Sequence, residues 1–168
     1  MIQQAIASDD PIVFMEPKRR YWDQGEVELT GEPFPLHKSR IVRDGTDATL
    51  IAYGPMVKTC LESADAAAED GVNLEVIDLR SLSPLDEDTI LASARKTGRV
   101  VVVHEASTFL GMGSEISALI TERAFHHLEA PVLRVGGYNV PYPPSRIEEE
   151  FLPDLDRVLD AVDRSLEY

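Results

Sequence analysis

The sequence predicts an α/β protein of three layers, in which helices cover both faces of a five-stranded, mostly parallel sheet. Short apolar segments alternate with longer amphipathic segments, which is typical of consecutive β-α-β units. Four consecutive valines at 100–103 leave no polar face for water, so we expect a central strand covered on both sides. The turn residues Asp44 and Gly45 predict that the first strand of the domain runs antiparallel to its successor.

Strands are expected at residues 39–43, 49–53, 74–77, 100–103 and 132–135. A first helix begins at Pro55, which suits the first helical position, and ends before Gly71. Its apolar stripe is expected at Val57, Leu61, Ala64 and Ala68.

Three further helices follow the pattern of caps and apolar faces. Ser83 or Asp86 caps the second, which ends at Gly98. The inward faces of the second and third helices are expected at Ile90, Leu91 and Ala94, and at Ile116, Leu119 and Ile120. Ser145 and Glu148 have the spacing of a capping box, and a last helix begins near Pro153 with apolar residues at Leu155, Val158, Leu159, Val162 and Leu166.

Residues 1–38 do not have the pattern of a domain start. Residues 2–7 are expected to be the last turns of a helix, and residues 12–15 a short buried strand with little nearby to pair with. The polar run that follows contains Pro17, Pro33 and Pro35, which block regular structure, so it is interpreted as a connecting arm. The economical interpretation is the remnant of a preceding domain with its linker, followed by one domain at 39–168.

The chain of 168 residues has 43% hydrophobic and 27% charged residues, which argues against disorder, and its net charge is −14. Such a surface repels nucleic acid and anionic membranes, and it favours either basic partners or solubility alone.

Cys60 is the single cysteine and is expected in the core, so a reducing compartment is expected. No apolar run approaches the ~20 residues that span a bilayer, and a signal-peptide pattern is missing, so the expected location is cytoplasmic.

The chemistry-bearing residues gather after the four valines. His104 and Glu105 do not begin a zinc helix, because Thr108 stands where the second histidine is required. A general-base role for His104 is chemically open, but no nucleophile with an oxyanion loop accompanies it, and a structural or interface histidine is the other interpretation. Glu105 is expected to fix a loop or an interface.

The glycine pair Gly111 and Gly113 resembles the start of a dinucleotide fingerprint, but Ile116 occupies the third glycine position. We therefore do not expect nucleotide binding there. His126 and His127 are explained by a helix end, where positive charge and donors are favourable. The basic cluster Lys18, Arg19 and Arg20 is expected to contact a neighbouring subunit or domain rather than nucleic acid, and exposed Tyr138 and Tyr142 are expected in a proline-rich loop.

Four stretches carry a specific family resemblance: FMEPKRRYW, VIDLRSLSPLD, VVVVHEASTFLGMGSEI and APVLRVGGYNVPYPP. With these the chain resembles the C-terminal half of the β subunit of thiamine-dependent 2-oxo acid dehydrogenases, of the pyruvate or branched-chain type. The EPK run resembles the branched-chain members somewhat more, and EPKRRYW argues against a transketolase or a deoxyxylulose-phosphate synthase. The resemblance implies that residues 1–38 are the tail of a pyrimidine-binding domain plus linker, and that 39–168 are a transketolase-type C-terminal domain.

That resemblance implies a mixed sheet with one antiparallel edge strand and a role in assembly. The implied partners are an α subunit, a second β subunit and the basic subunit-binding domain of the acyltransferase core. Thiamine diphosphate and magnesium are implied between α and β in the parent heterotetramer, with none bound to this chain alone. The implied reaction is oxidative decarboxylation of a 2-oxo acid and acyl transfer to lipoyl groups, and no catalytic, cofactor-binding or metal-binding residue is assigned to this chain. The competing hypothesis is a standalone binding or catalytic domain that uses a crevice near His104.

Overall fold

The computed structural model describes residues 1–26, 31 and 33–168, without the side chain of Arg19. The part of the predicted arm at residues 27–30 and 32 lies outside the described residues. One sheet contains β1 (Arg40–Arg43), β2 (Ala48–Ala52), β3 (Leu74–Asp78), β4 (Val100–Ser107) and β5 (Leu133–Gly137). The helices are α1 (Ile2–Ala7), α2 (Met56–Glu69), α3 (Glu87–Thr97), α4 (Met112–Ala124), α5 (Glu148–Phe151) and α6 (Leu155–Leu166), with short 3₁₀ turns at Lys18–Arg20, Phe125–His127 and Ser145–Ile147.

The strands lie in the order β1-β3-β2-β4-β5, and every neighbouring pair is parallel except β1 with β3. The predicted mixed α/β sheet is therefore confirmed. The direction of β1 relative to β2 is as predicted, but the two strands do not pair. β1 instead crosses to the outer side of β3, where Ile41 lies opposite Ile77, because β2 already has β3 and β4 as its two neighbours.

Two strands are longer than the apolar pattern predicts. β4 continues past the four valines to Ser107, two residues beyond His104 and Glu105, where the strand was predicted to end. β5 includes Gly136 and Gly137, two residues beyond the end of the strand predicted at 132–135. Apolar runs mark only the fully buried part of a strand, whereas the backbone ladder between β4 and β5 extends to the pair Ser107 and Gly137.

The sheet separates two apolar cores. α2 and α6 cover one face and meet side chains such as Leu50, Val101 and Val103. α3 and α4 cover the other face and meet Ile51 and Val102. All four valines of β4 are 0% exposed, which confirms a central strand covered on both sides.

Helix ends are partly as predicted. Gly98 ends α3 in the left-handed conformation with φ 67°, and Gly71 follows α2 with φ 83°. Ala68 was expected in the stripe of α2, but it is exposed and Ala67 is buried in its place. The capping box is wrong: Glu148 begins the separate short helix α5, and its carboxylate accepts a hydrogen bond from the Tyr142 hydroxyl.

The N-terminal region is predicted only in part. α1 is present, but the expected buried strand at 12–15 is wrong, since Val13 and Met15 are each 87% exposed and no strand forms there. The physical reason is that the segment gains no ladder hydrogen bonds, because neither edge strand of the sheet, β1 or β5, pairs with it. Among the described residues, no helix has the length and apolar character needed to span a bilayer.

Candidate functional site

The chain connections change direction between β2 and β4. From β2 the chain crosses to β3 on one side, and from β3 it returns past β2 to β4 on the other. The loops after β2 and β4 therefore diverge at adjacent strand ends. In open α/β sheets this switch point is where ligands and functional groups collect, so it is the first place to look for a site.

His104 lies beside this switch point but does not open into it. Its side chain is 0% exposed, and its ring stacks on Tyr53 with centroids 6.0 Å apart and an interplanar angle of 29°. Nδ1 lies 2.8 Å from the carbonyl oxygen of Ala106, so Nδ1–H is the donor and Nε2 carries the lone pair. Nε2 is buried and has no hydrogen-bond partner in the described part of the chain.

Three glycines pack around the His104 ring. A Cβ on Gly111 would lie 2.8 Å from Cε1 of His104, and one on Gly113 would lie 2.7 Å from Nε2. A Cβ on Gly136 of β5 would lie 3.1 Å from Cε1. The space beside the imidazole is thus filled by backbone, and Gly111 and Gly113 serve to bring the start of α4 against His104 rather than to hold a nucleotide.

The electrostatics favour a neutral His104. Burial lowers the pKa of the imidazole below its ordinary value of 6.5, and the nearby charge of Arg134 lowers it further, while the bond to Ala106 acts in the opposite direction. Burial, followed by the charge of Glu105, raises the pKa of Tyr53. A neutral, enclosed imidazole has no access to a substrate proton, so the geometry does not support a catalytic crevice at His104.

An open cavity of about 490 Å³ does lie at the carboxyl ends of these strands. Glu105 from β4 and Pro55 from the start of α2 line it on the domain side. Residues of segment 12–26, which we call the N-terminal arm, and of the loop after β5 complete the lining. Its lining consists of Pro17, Lys18, Trp22, Pro55, Glu105, Tyr142 and Glu148. The cavity thus lies between the arm and the domain.

The other sequence candidates are dispersed. Lys18 and Arg20 lie in a 3₁₀ turn, where Arg20 pairs with Asp23 at 2.7 Å, and the side chain of Arg19 is outside the described residues. His126 and His127 are exposed in the turn after α4, where the His126 ring meets Phe125 edge-on at 5.5 Å. Cys60 is 0% exposed, as predicted, and burial raises the pKa of its thiol. No group of three His, Cys, Asp or Glu side chains suited to a metal ion occurs in the described residues.

The feature that the sequence analysis missed is a set of exposed apolar side chains at the strand ends. Phe109 and Leu110 follow β4 and are 63% and 87% exposed. Leu110 is also held at φ 56°, a conformation that branched residues seldom adopt. Val140 follows the neighbouring β5 and is 59% exposed, close to Tyr138, whose predicted exposure is confirmed at 52%. Phe109 and Leu110 interrupt an otherwise small and polar run between Ala106 and Gly111, which was the available signal.

The chain is similar in sequence to known proteins. Residues 37–158 match the family described as "Transketolase, C-terminal domain". The chain is 56% identical over its full length to the pyruvate dehydrogenase E1 component subunit beta of Leifsonia xyli, and covers 50% of that protein. It is 49% identical over 99% of its length to the 3-methyl-2-oxobutanoate dehydrogenase subunit beta of Mycobacterium tuberculosis, and covers 48% of it.

A solved structure described as a split-gene transketolase, an inactive β4 tetramer, superposes with a TM-score of 0.72. It is 29% identical, and the match covers 85% of this chain and 46% of the other. The chain therefore spans about half the length of the curated relatives it matches. The family match over most of the chain, the mixed five-stranded sheet and these relatives agree: the chain belongs to the transketolase C-terminal domain family and is similar in sequence to the β subunits of pyruvate and branched-chain 2-oxo acid dehydrogenases.

Proposed function

We propose that this chain is the subunit-association part of the β subunit of a thiamine-diphosphate-dependent 2-oxo acid dehydrogenase. In this proposal residues 1–38 belong to a preceding pyrimidine-binding domain and its linker, and residues 39–168 form the association domain. The parent enzyme carries out oxidative decarboxylation of a 2-oxo acid and acyl transfer to lipoyl groups in the cytoplasm. The chain alone has no such activity.

The exposure of the N-terminal arm is the observation that carries the proposal. Val13, Met15 and Trp22 are 87%, 87% and 89% exposed, and they lie within 10 residues of one another in the chain. Large apolar side chains clustered on one exposed segment mark an interaction surface. The exposed Phe109 and Leu110 at the end of β4 add a second apolar patch on the domain itself.

The proposed partners are an α subunit, a second β subunit and the subunit-binding domain of the acyltransferase core. A net charge of −14 suits a basic subunit-binding domain, because complementary potentials favour docking and accelerate encounter. The same charge opposes association with nucleic acid or an anionic membrane surface. Curated relatives at 56% and 49% identity are named as pyruvate and branched-chain enzymes, so the comparison does not follow the branched-chain tendency of the EPK run, and either 2-oxo acid fits the proposal.

Thiamine diphosphate and magnesium belong to the proposal only at the level of the parent heterotetramer. The donors that a divalent cation requires do not converge in the described residues: no group of three acidic or imidazole side chains suited to a metal forms, and the buried imidazole of His104 is enclosed by glycine backbone. The residues present therefore do not fit the cofactor, and no chemical step is assigned to them. Their proposed contribution is to hold subunits together.

The proposal is tested by co-expression of the tagged chain with the α subunit from the same organism. We expect the α subunit to be retained on the tag, and the double variant Phe109→Ser/Leu110→Ser to reduce its retention at least tenfold. Leu82→Ser is the matched control, because Leu82 is also exposed, at 39%, in a loop after a parallel strand. Failure of the wild-type chain to retain the α subunit would contradict the association function.

Calorimetric titration with the basic subunit-binding domain tests the second partner. Saturable binding that weakens as salt is raised is expected, because screening reduces the attraction between opposite charges. Absence of binding at low salt would remove this partner from the proposal. A saturable small-molecule turnover by the wild-type chain, lost in His104→Ala, would instead favour the standalone catalytic hypothesis.

A further inference from the structure

A short segment before β1 is bound to the loop that follows β3. We call residues 34–39 the linker segment and residues 79–86 the β3 loop. The predicted boundary between the preceding region and the domain falls between residues 38 and 39, inside the linker segment. The contacts between the linker segment and the β3 loop therefore decide on which side of this boundary the chain is fixed.

Arg80 of the β3 loop makes three contacts with the linker segment. Its Nη1 donates hydrogen bonds to the carbonyl oxygens of Pro35 and Lys38, at 2.7 and 3.0 Å. Its guanidinium lies 4.5 Å from the centre of the Phe34 ring, an arrangement in which a cation and an aromatic face attract one another. One side chain thus binds the linker segment near both of its ends.

The backbone of Arg80 is itself unusual. Its φ is 56°, in the left-handed region, and its N–H donates to Oδ1 of Asp78 at 3.1 Å. Glycine or asparagine would adopt this conformation at a lower free-energy cost. A residue other than these is kept there when the surrounding contacts stabilise it, and the bonds from the guanidinium to the linker segment are such contacts.

The rest of the β3 loop binds the same segment. Ser39 is 6% exposed, and its N–H donates to Oδ2 of Asp86 at 2.9 Å. The Ser39 hydroxyl donates to the carbonyl oxygen of Leu79 at 3.4 Å. His37 Nδ1 and Ser81 Oγ also lie 3.4 Å apart. The attachment therefore involves both ends of the β3 loop and does not depend on a single bond.

These contacts make the linker segment a mechanical part of the domain. Pro35 fixes its own φ and so reduces the number of conformations open to the segment. A stiff connection transmits an orientation, whereas a flexible one only limits a distance. A change of direction between the preceding region and the domain then has to occur before residue 34, and not at the predicted boundary between residues 38 and 39.

We propose that Arg80 is a positioning residue, which fixes the linker segment to the β3 loop so that the chain enters the domain in one direction. The hinge toward the preceding region then lies before residue 34. This deepens the proposed function, on which it rests, because subunit association depends on how the preceding region is presented to a partner. The proposal requires neither a ligand nor the exposed Phe109 and Leu110.

Tryptic cleavage after Lys38 reports opening of the linker segment, because a protease needs backbone that is free of other contacts. We expect cleavage there to be at least tenfold faster in Arg80→Asn, since asparagine tolerates the left-handed backbone but lacks the guanidinium and its hydrogen bonds. Arg40→Asn is the matched control, with the same change of charge at an exposed position of β1. The wild-type rate is expected for Arg40→Asn.

A milder variant guards against a folding defect. Phe34 is 43% exposed, so Phe34→Ala leaves the core intact and removes only the ring beneath Arg80. Cleavage after Lys38 is expected to be about threefold faster in this variant. Wild-type rates in both Arg80→Asn and Phe34→Ala would overturn the proposal. Equal acceleration of cleavage after Lys96, in α3, would also overturn it, because it would show global unfolding.

A distance measurement tests the direction of entry. Nitroxide labels on Pro33→Cys and Ala68→Cys occupy exposed positions on the linker side and on α2, while Cys60 is 0% exposed and stays unlabelled. We expect a narrow distance distribution when Arg80 is present and a broader one after Arg80→Asn. Distributions of equal width would overturn the fixed direction.

Retention of the α subunit distinguishes the two proposals. If the wild-type chain retains the α subunit but Arg80→Asn changes neither cleavage nor distances, the association function stands and the role of Arg80 is wrong. If the chain fails to retain the α subunit while Arg80→Asn opens the linker segment, the attachment by Arg80 stands and the association function is wrong.

Discussion

His104 and Gly113 are packed so closely that a methyl group on Gly113 would lie 2.7 Å from Nε2 of the imidazole. Gly113 is in the first turn of α4, and His104 is in the strand that precedes that helix. The His104 ring thereby sets how closely the first turn of α4 approaches β4. This contact explains the pair Gly111 and Gly113 without any nucleotide, since a side chain at either position would meet the ring.

We expect Gly113→Ala to lower the free energy of unfolding by about 1–3 kcal/mol, the usual cost of forcing an extra carbon into a packed site. Alanine recovers up to ~1 kcal/mol through its higher helix propensity, so the clash must exceed that gain. Urea unfolding measures the difference. The control is Gly25→Ala, where a Cβ has nothing within 4 Å and no loss is expected.

A double-mutant cycle with His104→Ala assigns the cost to this pair. Removing the imidazole makes room for the new methyl group, so Gly113→Ala is expected to cost less in the His104→Ala background than in the wild type. Equal costs in the two backgrounds would show that the clash is with something other than the His104 ring.

Stability is expected to fall with acidity because of His104. Burial and the charge of Arg134 lower its pKa in the folded chain below 6.5, while the unfolded chain keeps the ordinary value. As pH falls below 6.5, the unfolded state therefore binds more protons than the folded state. The contribution of neutral His104 to the free energy of unfolding is complete above pH 6.5 and declines below it, until the folded pKa is reached. Thermal unfolding across this range should show a shallower decline in His104→Asn, and a pKa above 6.5 by NMR titration would contradict the assignment.

Asp86 ties the beginning of the domain to α3. Its carboxylate accepts hydrogen bonds from Lys38 Nζ at 3.0 Å, from Ser39 N–H at 2.9 Å and from Thr89 Oγ1 at 2.8 Å. Asp86→Asn replaces one accepting oxygen with a donor, so we expect a loss of about 2 kcal/mol at neutral pH. Asp88→Asn, an exposed position in the same helical turn, is the control with little expected change.

The pH dependence of the Asp86 effect follows from its surroundings. Burial alone would raise the pKa of this carboxyl, but the hydrogen bonds from Thr89, Ser39 and Lys38 outweigh burial and lower it below 3.8. The contribution of ionised Asp86 to the free energy of unfolding is thus complete above pH 3.8 and is lost as pH falls through the pKa of Asp86 in the folded chain. The stability gap between wild type and Asp86→Asn should narrow there, and a gap that widens in acid would be inconsistent with a charged, hydrogen-bonded Asp86.

Arg157 holds the loop after β5 against α6. Its guanidinium donates to the carbonyl oxygens of Gly136 and Phe151 and lies 4.7 Å above the ring of Tyr138. Lysine keeps the charge but loses the planar fork, so Arg157→Lys should cost about 1–2 kcal/mol in urea unfolding. Arg164→Lys is the control, because the exposed side chain of Arg164 only pairs with Asp160 at 3.5 Å, and we expect it to change the free energy of unfolding by less than about 0.5 kcal/mol. Equal losses in the two variants would contradict the special role of Arg157.

Several elements were predictable because their signals are local. The valines at 100–103 required a covered strand, and Gly98 required the left-handed end that α3 has. Cys60 was placed in the core from residue type alone. The failed predictions, such as the strand at 12–15 and the capping box at Ser145 and Glu148, depended on partners that are distant or competing: a sheet edge in one case, and the hydroxyl of Tyr142 in the other.

The order of the five strands and of helices α2, α3, α4 and α6, the burial of the central strand and the family resemblance could be predicted from the sequence, because periodicity and turn residues act within a few positions of the chain. Packing in three dimensions was needed to show that β1 pairs with β3, that glycines from α4 and β5 enclose His104, and that the β5 edge lies open between α4 and α6. These features arise where segments far apart in sequence compete for the same edge or the same space. That competition is settled by packing, which no local pattern records.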